Sequence, residues 1–495
     1  MIRDTFQEIV DGVNVRQNLS KLRQEIKEAG NRAALLYQIG IDYEIFRELL
    51  SNEDAKVRKN VALLIGDLSI KALLPDLYSA YKQEDKLFVK SSYLTAMTAF
   101  DYRPYLSELK ARLNELTEKE PEEENKKHIM EETRALSDMI TTMEGVKTHK
   151  FTGYDIESDL ILLTNRNHID VTADLIPDSM KHKSFNAGVM VRSNDLKKIM
   201  DIRTYQELLF MIPGLRTCPM DASKAAKAIV GSRLMEFLEQ RHKGKAPFYF
   251  RIELKSKMDL AKRSTMAKRM ATEIERLSKR QLINSTSNYE VELRLIENKE
   301  GNFNVLVKLY TFEDERFSYR VLVTPTSMKP TKAALTVALA KDYLREDARI
   351  LDPFCGVGTL LIERHKFLKA NTMYGIDCLE DAIEKARENT DKAKQIIHYI
   401  NRDFFEFEHE YLFDEILTDM PMITVRKHED EIEQIYQRFF RKVGKHLEED
   451  GCIIMYSHNK EFVRKYSGQY GFRIEKQIEI SKKEGTYVFI LKVQA

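Results

Sequence analysis

The sequence predicts three successive regions: an all-α region, then an α+β region, then an α/β region with a parallel, doubly wound sheet. The 495 residues exceed what one core encloses, since a domain takes roughly 150 residues. Apolar residues recur every three to four positions in the first part, and short β-like runs follow. From Pro330 onward, strand and helix patterns alternate regularly. We therefore expect domains over residues 1–145, 150–325 and 326–495.

Composition excludes several classes of protein. The chain is 43% hydrophobic and 32% charged, and no apolar run approaches the roughly 20 residues that cross a bilayer. The first residues carry acids and lack an apolar core, so we expect a cytoplasmic protein with neither a targeting peptide nor a membrane partner. With 79 basic and 78 acidic side chains, any affinity for nucleic acid must come from a local surface. No disulfide framework or metal is expected, because the cysteines stand singly at Cys218, Cys355, Cys378 and Cys452.

The first region contains two similar stretches, NEDAKVRKNVALLIGDL and QEDKLFVKSSYLTAMTAF. Their acids Asp54 and Asp85 are 31 residues apart, a period typical of stacked helical hairpins. The pattern resembles HEAT-type repeats, in which the Asp caps a helix and Arg58 or Lys90 links neighbouring repeats. An ordinary helical bundle is the alternative. A protein partner of these helices is left open.

The second region combines β-like runs with amphipathic helical segments such as ASKAAKAIVGSRLMEFLEQ. The runs are LILLT, GVMVR, FYFRIEL, YEVELRLIE and FNVLVKLYT. Residues 251–280 hold ten Lys or Arg against four Asp or Glu, which makes this window the candidate basic surface. A solvated helix face is the alternative. The candidate RNA-binding residues are Arg251, Lys255, Lys262, Arg263, Lys268 and Arg269.

The third region begins with ARILDPFCGVGTLLIERHKFL, a buried strand followed by a glycine turn and a helix. Gly356 and Gly358 allow positive φ and a close approach of the backbone to a ligand. The helix that begins near Thr359 directs free N–H groups at that ligand. The segment matches neither GxxxxGK[ST] nor GxGxxG, since Glu363 and Arg364 stand where those patterns need Gly or Lys. A different nucleoside cofactor is therefore predicted.

Acidic residues follow the next strands at a regular spacing. Asp377 ends a second strand, 25 residues after Asp352, where a carboxylate can bind both hydroxyls of a ribose. Asp403 and Phe404 follow a third strand, where they can bond an adenine amine and cover its ring. The segment EILTDMPM places Asp419 at the end of a fourth strand.

Together these motifs resemble the S-adenosylmethionine-dependent methyltransferases. DPFCGVGT is similar to the DPxCGxGT form found in RNA guanine-N2 methyltransferases that carry a THUMP domain. The segment from residue 154 to residue 319 resembles the ferredoxin-like plus THUMP module of that family, and SMKPTKAALTVALA resembles its junction into the catalytic domain. The resemblance covers about the last two thirds of the chain and leaves out the HEAT-like part.

The resemblance implies a Rossmann-like class I methyltransferase fold, S-adenosylmethionine as cofactor and structured RNA as substrate, with tRNA expected. In the family, the THUMP-containing module holds the RNA while the catalytic domain takes one base out of the helix. The cofactor-binding residues implied are Asp352, Pro353, Gly356, Gly358, Thr359, Asp377, Asp403, Phe404 and Asp419.

The loop after the fourth strand carries the candidate catalytic residues Asp419, Met420, Pro421 and Met422. Attack by an exocyclic amine requires that its lone pair, which is delocalised into the base, be aimed at the methyl group. Asp419 and the Met420 carbonyl can accept the two amine hydrogens, and Pro421 fixes the turn. Members of the family have an aromatic residue and then Gly after the proline, whereas this chain has Met422 and Ile423.

The sequence thus predicts an RNA methyltransferase that acts on N2 of guanosine in structured RNA. Two alternatives stay open because a fold does not fix a substrate. One is an RNA-binding protein whose methyltransferase domain does not catalyse. The other is the same chemistry on another acceptor, such as adenine N6, or on rRNA.

Overall fold

A computed structural model describes residues 2–118, 122, 124–144, 149–423 and 428–494. These residues form two compact units. The first combines Met1–His149, Pro219–Gly231 and Lys245–Glu290, and the second combines Lys150–Cys218, Ser232–Gly244 and Val291–Ala495. The boundary expected near residue 145 falls among residues 145–148, which lie outside the described ones, and the three-domain division stays a prediction.

The helices and strands are numbered in chain order. The helices are α1 Ile2–Val10, α2 Val15–Glu25, α3 Asn31–Ile39, α4 Glu44–Leu50, α5 Ala55–Leu68, α6 Leu74–Gln83, α7 Leu87–Met97, α8 Leu106–Glu118, α9 Lys126–Glu144, α10 Ile169–Ala173, α11 Leu196–Asp201, α12 Ala222–Val230, α13 Leu234–Arg241, α14 Leu260–Leu277, α15 Pro330–Leu339, α16 Thr359–Phe367, α17 Glu380–Ala393, α18 Glu429–Val443 and α19 Lys460–Gln469. The strands are β1 Lys150–Phe151, β2 Ser158–Leu163, β3 His182–Phe185, β4 Gly188–Ser193, β5 Glu207–Phe210, β6 Thr217–Pro219, β7 His242–Lys243, β8 Phe248–Lys255, β9 Leu282–Asn284, β10 Val291–Glu297, β11 Asn302–Leu309, β12 Arg349–Asp352, β13 Thr372–Asp377, β14 His398–Asn401, β15 Phe413–Asp419, β16 Leu447–Ser457, β17 Phe472–Ser481 and β18 Thr486–Val493.

The N-terminal helices stack as hairpins. Helices α2, α5, α7 and α9 pack side by side, while α4, α6 and α8 each pack against a member of that row. Gly66 lets α5 and α7 approach closely, because a Cβ at this position would lie 2.8 Å from the Cα of Ala96. Apolar side chains of both helices fill the interface, and Val61 and Leu94 are fully buried. The predicted all-α region is therefore confirmed, whereas its assignment to HEAT repeats stays a prediction.

Two of the contacts expected in this region are present. The Asp54 carboxylate accepts a hydrogen bond of 2.8 Å from the backbone N–H of Lys56 and so caps α5. The Arg58 guanidinium donates bonds of 2.9 and 2.7 Å to the buried carboxylate of Glu84. Arg58 thus links α5 to the segment after α6.

In the second stretch, the helix cap expected from Asp85 is wrong. Glu84, not Asp85, accepts the bond from the Lys86 N–H at the start of α7, at 2.9 Å. Lys90 donates to the carbonyl of Tyr81 at 3.0 Å and so links α7 to α6. The acid one residue earlier takes the capping role because Arg58 already fixes it beside the start of the helix.

In the second unit, the strands of the central region form an antiparallel sheet in the order β3, β4, β2, β5, β11, β10. In the first unit, β8 and β9 form a parallel pair. All five β-like runs of the sequence are strands. The segment ASKAAKAIVGSRLMEFLEQ is two helices instead of one, because α12 ends at Gly231 and the Ser232 hydroxyl accepts a bond from the Leu234 N–H at the start of α13.

The C-terminal sheet has the strand order β14, β13, β12, β15, β16, β18, β17. The first five strands are parallel, as expected from the alternation of strands and helices. The last two form an antiparallel hairpin that the alternation did not predict. Ile350 and Leu351 of β12 are both fully buried and belong to separate cores on the two faces of the sheet. Since β13 and β15 flank β12 on opposite sides, the chain reverses direction of winding here, and ligands bind at such a point in open α/β sheets.

Candidate active site at the carboxyl edge of the C-terminal sheet

The turn between β12 and α16 has the predicted backbone conformation. Gly356 and Gly358 have φ values of +51° and +78°. A Cβ at Gly356 would meet nothing within 4 Å, so the backbone faces open space there. A Cβ at Gly358 would lie 2.1 Å from the hydroxyl oxygen of Tyr399. The sequence analysis attributed Gly358 to the approach of a ligand, but the packing of Tyr399 against this position also requires a glycine.

The side chain of Asp377 holds this turn in place. One carboxylate oxygen accepts a bond of 3.0 Å from the N–H of Gly356, and the other accepts one of 2.9 Å from the N–H of Leu379. Each oxygen keeps a further lone pair, so the carboxylate can accept additional donors. The hydroxyl of Thr359, in a residue that is 3% exposed, has no hydrogen-bond partner among the described residues. Pro353 lies buried in the same turn.

Three carboxyl groups converge at this edge of the sheet. Asp352 is 1% exposed, and burial raises its pKa well above the ordinary value, with the charges of Asp419 and Asp377 adding to the effect. Burial also raises the pKa of Asp419 to about 7, while the charge of Lys332 acts against this rise. Burial therefore favours the protonated form of two of these three carboxyls, and the pKa of Asp419 is brought close to neutral pH.

Asp403 and Phe404, the pair predicted to bind adenine, both make contacts within the protein. Asp403 caps a short 3₁₀ helix by accepting a bond of 2.9 Å from the N–H of Phe405, and its carboxylate lies 3.7 Å from the guanidinium of Arg438. Phe404 is 1% exposed and packs against Phe354 in the core, so its ring offers no open face. Phe405 is half-buried and lies under Arg438, whose guanidinium is 3.8 Å from the ring centre.

The loop after β15 starts from a fixed point. Asp419 lies at the end of β15 and pairs with Tyr456 of β16, and the Met420 N–H donates a bond of 3.0 Å to the Tyr456 carbonyl. The Met420 side chain is 2% exposed, so only its backbone can serve a ligand. Pro421 and Met422 are half-buried. The structure thus brings Asp352, Asp377 and Asp419 together with the glycine turn and this loop.

Two buried side chains that the sequence motifs did not identify hold the turn and the helix that follows it, α16. The Asn389 amide accepts a bond from the Leu322 N–H at 3.0 Å and donates to the carbonyls of Leu322 and Val357, at 2.9 and 3.2 Å. Glu363 of α16 accepts two bonds from Arg203, at 2.6 and 2.7 Å. These partners are distant in sequence, so local spacing carries no signal for them.

The candidate RNA-binding residues lie in the first unit, on β8 and α14. Lys255, Lys262, Lys268 and Arg269 are exposed. Two others are less accessible: Arg263 is half-buried, and the Arg251 guanidinium lies 4.1 Å from the ring centre of Tyr289. Further along the window, Arg276 and Arg280 pair with glutamates of the same helix.

Two classes of feature are missing from the described residues. No group of three or more His, Cys, Asp or Glu side chains there has an arrangement that could hold a metal ion. Among the helices that the structure describes, none has the length and apolar character needed to span a membrane.

Comparison with known families gives a match over residues 318–484. They match the model of the family described as UPF0020: RMKL-like, methyltransferase domain. The chain is also 31% identical over 152 residues to the tRNA (guanine(10)-N2)-dimethyltransferase of Methanothermobacter thermautotrophicus. That alignment covers 29% of this chain and 42% of the relative, so the chain matches less than half of the relative's length.

Solved structures share the fold over a longer part of the chain. TrmN from Thermus thermophilus has 18% identity and a TM-score of 0.51, covering 68% of this chain and 99% of its own. A predicted N6-adenine-specific DNA methylase from Listeria monocytogenes has 14% identity and a TM-score of 0.54, covering 72% and 98%. SMU.472, assigned as a methyltransferase and complexed with SAH, has 11% identity and a TM-score of 0.53, covering 68% and 98%. The resemblance to methyltransferases that the sequence showed is thus confirmed by the match of residues 318–484 to the RMKL-like methyltransferase domain.

Proposed function

We propose that the protein transfers a methyl group from S-adenosylmethionine to N2 of guanosine in structured RNA, with tRNA as the substrate and the cytoplasm as the place of action. The observation that carries this proposal is Asp419, a carboxyl with a pKa of about 7 at the winding reversal of the sheet, followed by Pro421 and lying beside the glycine turn. The name of the Methanothermobacter relative supports the choice of acceptor and of RNA.

The residues of the turn fit the cofactor. Bound S-adenosylmethionine supplies a methyl group activated by a positively charged sulfur. A cation held beside the buried carboxyls of Asp352 and Asp419 would favour their ionised forms. The open space at Gly356 allows a close approach, and the buried Thr359 hydroxyl lacks a partner among the described residues. Asp377 has lone pairs left for ribose hydroxyls.

Asp419 and the Met420 carbonyl would act on the amine of the base. A carboxylate and a carbonyl that accept its two hydrogens aim the lone pair away from the plane of the base. Once nitrogen carries the methyl group it must lose a proton, and a carboxyl with a pKa near 7 is well matched to receive it at neutral pH. The buried Met420 side chain and the N–H bond to Tyr456 hold that carbonyl in a fixed position.

RNA docking is assigned to β8 and α14. Lys255, Lys262, Lys268 and Arg269 are exposed cations that can contact phosphates. We also propose that the central region is a ferredoxin-like plus THUMP module and that the N-terminal helices are HEAT-like repeats. The antiparallel sheet and the stacked hairpins are compatible with both.

The alternative is an RNA-binding protein that does not catalyse, and Met422 favours it. This residue stands where an aromatic side chain would stack on the flipped base, and such stacking contributes roughly 1 to 3 kcal/mol. A methionine gives a smaller, flexible contact surface.

Transfer of tritiated methyl groups to small RNA, taken from cells that lack the protein, tests both readings. The proposal predicts incorporation by the parent protein and a loss on the order of a hundredfold in Asp419→Ala. Met422→Phe should equal or exceed the parent. Calorimetry with S-adenosylhomocysteine is the control, since Asp419→Ala must still bind it if the loss is chemical. A parent and a Met422→Phe variant that both bind cofactor and transfer nothing would establish the alternative.

A further inference from the structure

We propose that a cleft in the second unit binds the phosphate groups of the RNA backbone next to the nucleotide that is methylated. The inference rests on the proposed function and adds to it a second RNA contact, separate from α14. The cleft has a volume of about 400 Å³ and lies between the loop after β2, the start of α15 and the turn of the β17–β18 hairpin. None of the comparisons or motifs above assigns a ligand to it.

The walls of the cleft are fixed by hydrogen bonds between segments that are distant in sequence. Asn165 donates a bond of 3.0 Å to the carbonyl of Ile480 at the end of β17. His168 forms a bond of 2.7 Å with the carbonyl of Glu479. The hairpin turn is held by a bond of 3.2 Å from the Glu484 N–H to the Ser481 hydroxyl. The cleft is therefore a preformed feature of the fold.

The charge of the lining is strongly positive. It contains Arg166, Lys332, Lys482 and Lys483, against the single acid Glu484. That acid already accepts a bond of 2.6 Å from Lys332. The other three cations are exposed, and no acidic group among the described residues pairs with them. Three cations without counter-ions around one cleft match the spaced charges of a phosphodiester chain.

The cleft adjoins the candidate active site through Lys332. Its ammonium lies 6.0 Å from the ring centre of Tyr456, whose carbonyl accepts the bond from the Met420 N–H. The charge of Lys332 also acts on the carboxyl of Asp419. RNA held in the cleft would consequently lie beside the loop that receives the base, and the phosphates in reach are those that flank the target nucleotide.

The salt dependence of RNA binding tests the proposal. Lys482→Glu combined with Lys483→Glu removes two cations from an exposed turn. The matched control is Lys369→Glu combined with Lys445→Glu, which reverses two exposed charges that precede β13 and β16, at the amino edge of the same sheet. The slope of log K against log salt should fall by about 1.4 to 1.8 in the cleft variant, at about 0.7 to 0.9 per phosphate contact. The slope of the control should stay that of the parent, and both should bind S-adenosylhomocysteine like the parent.

An unchanged slope in the cleft variant, or an equal fall in the control, would overturn the proposal. Calorimetry with inorganic phosphate provides a further arm: phosphate binding that the cleft variant loses, without any change in RNA binding, would show a site for a free anion and also overturn it. Failure of the proposed function is distinct. If the parent transfers no methyl groups but the cleft variant shows the predicted fall in the salt slope of RNA binding, the cleft proposal is supported and the proposed enzymatic function is contradicted. A parent that binds no RNA would contradict both.

Discussion

Asp419 is the residue on which the proposed chemistry depends, and its protonation should control the rate. Only the ionised carboxyl accepts a hydrogen from the amine without competing donors, and burial raises its pKa to about 7. We expect kcat/KM to rise with pH through about 7 in the parent. Asp419→Asn keeps an acceptor oxygen but does not titrate, so the rise should disappear. A pH profile of methyl transfer measures this, and an identical rise in both proteins would assign the titration to another group.

The raised pKa of Asp419 is expected to affect stability in the direction opposite to activity, because stability should fall as pH rises. The folded protein keeps a proton on Asp419 that the unfolded chain releases above about pH 3.9. The free energy of unfolding of the parent, compared with that of a variant with a neutral residue at this position, therefore falls between about pH 4 and about pH 7. Asp419→Asn should therefore raise Tm more at pH 8 than at pH 4. A Tm difference that is independent of pH would contradict the burial of an ionised carboxyl.

Gly358 should tolerate substitution less well than Gly356. An alanine at either position is strained by positive φ, at roughly 1 to 2 kcal/mol, but only at Gly358 would its Cβ clash with the hydroxyl of Tyr399. Gly358→Ala should thus lower the free energy of unfolding further than Gly356→Ala. Adding Tyr399→Phe to Gly358→Ala should recover part of the loss, although Tyr399→Phe alone loses the bond to Thr390. A denaturation series over the four variants measures this coupling, and additive effects would contradict it.

These residues also show what local sequence can and cannot predict. Asp377 and Asp419 were predictable because each ends a strand, and parallel strands bring their carboxyl ends to one edge of a sheet. Tyr399 and Asn389 were not, because their role comes from contacts with Gly358 and Val357 across two neighbouring elements. Phe404 was placed at the right strand end, but its spacing gave no measure of its burial.

At the scale of elements, the structure shows which cations of α14 are exposed and could make the predicted RNA contact. Lys262, Lys268 and Arg269 are exposed, whereas Arg263 is half-buried. The test variant therefore leaves Arg263 unchanged. Reversing the three exposed charges to Glu should reduce the salt slope of RNA binding by about 2 to 3, at about 0.7 to 0.9 per contact.

The control for α14 reverses three exposed lysines of the N-terminal helical region in the same unit, Lys27, Lys56 and Lys71. This variant should bind RNA with the slope of the parent. Measuring both slopes by fluorescence anisotropy separates a local contact from the loss of overall positive charge. If both variants lose the same slope, α14 is not the docking helix.

Elements with strong patterns were the ones the sequence predicted. The parallel strands are short apolar runs before a polar turn, and β8, β10 and β11 are marked by aromatic and β-branched residues. The hairpin of β17 and β18 was missed because the regular alternation of strands and helices was extended to the end of the chain, although the alternating residues IEIS in β17 are typical of a half-buried strand. The break between α12 and α13 depends on one Gly–Ser pair, too weak a signal against the helical periodicity around it.

At the scale of the whole molecule, the order of helical, mixed and α/β segments was predictable from composition and periodicity. The grouping into compact units was not, because residues 219–231 and 245–290 belong to the unit of the N-terminal helices. Helix α14, for example, contacts both α12 and α8. Sequence proximity suggests contiguous domains, whereas packing of apolar faces that are distant along the chain decides the units.

The central claim is that this chain methylates N2 of guanosine in RNA. Mass spectrometry of nucleosides tests it most directly, on small RNA from cells that lack the protein, incubated with the purified chain and S-adenosylmethionine, with Asp419→Ala as the matched control. We predict N2-methylguanosine, formed by the parent and reduced on the order of a hundredfold in the control. Methyl groups found instead on adenine N6, or no methylated nucleoside from a parent that binds both cofactor and RNA, would contradict the claim.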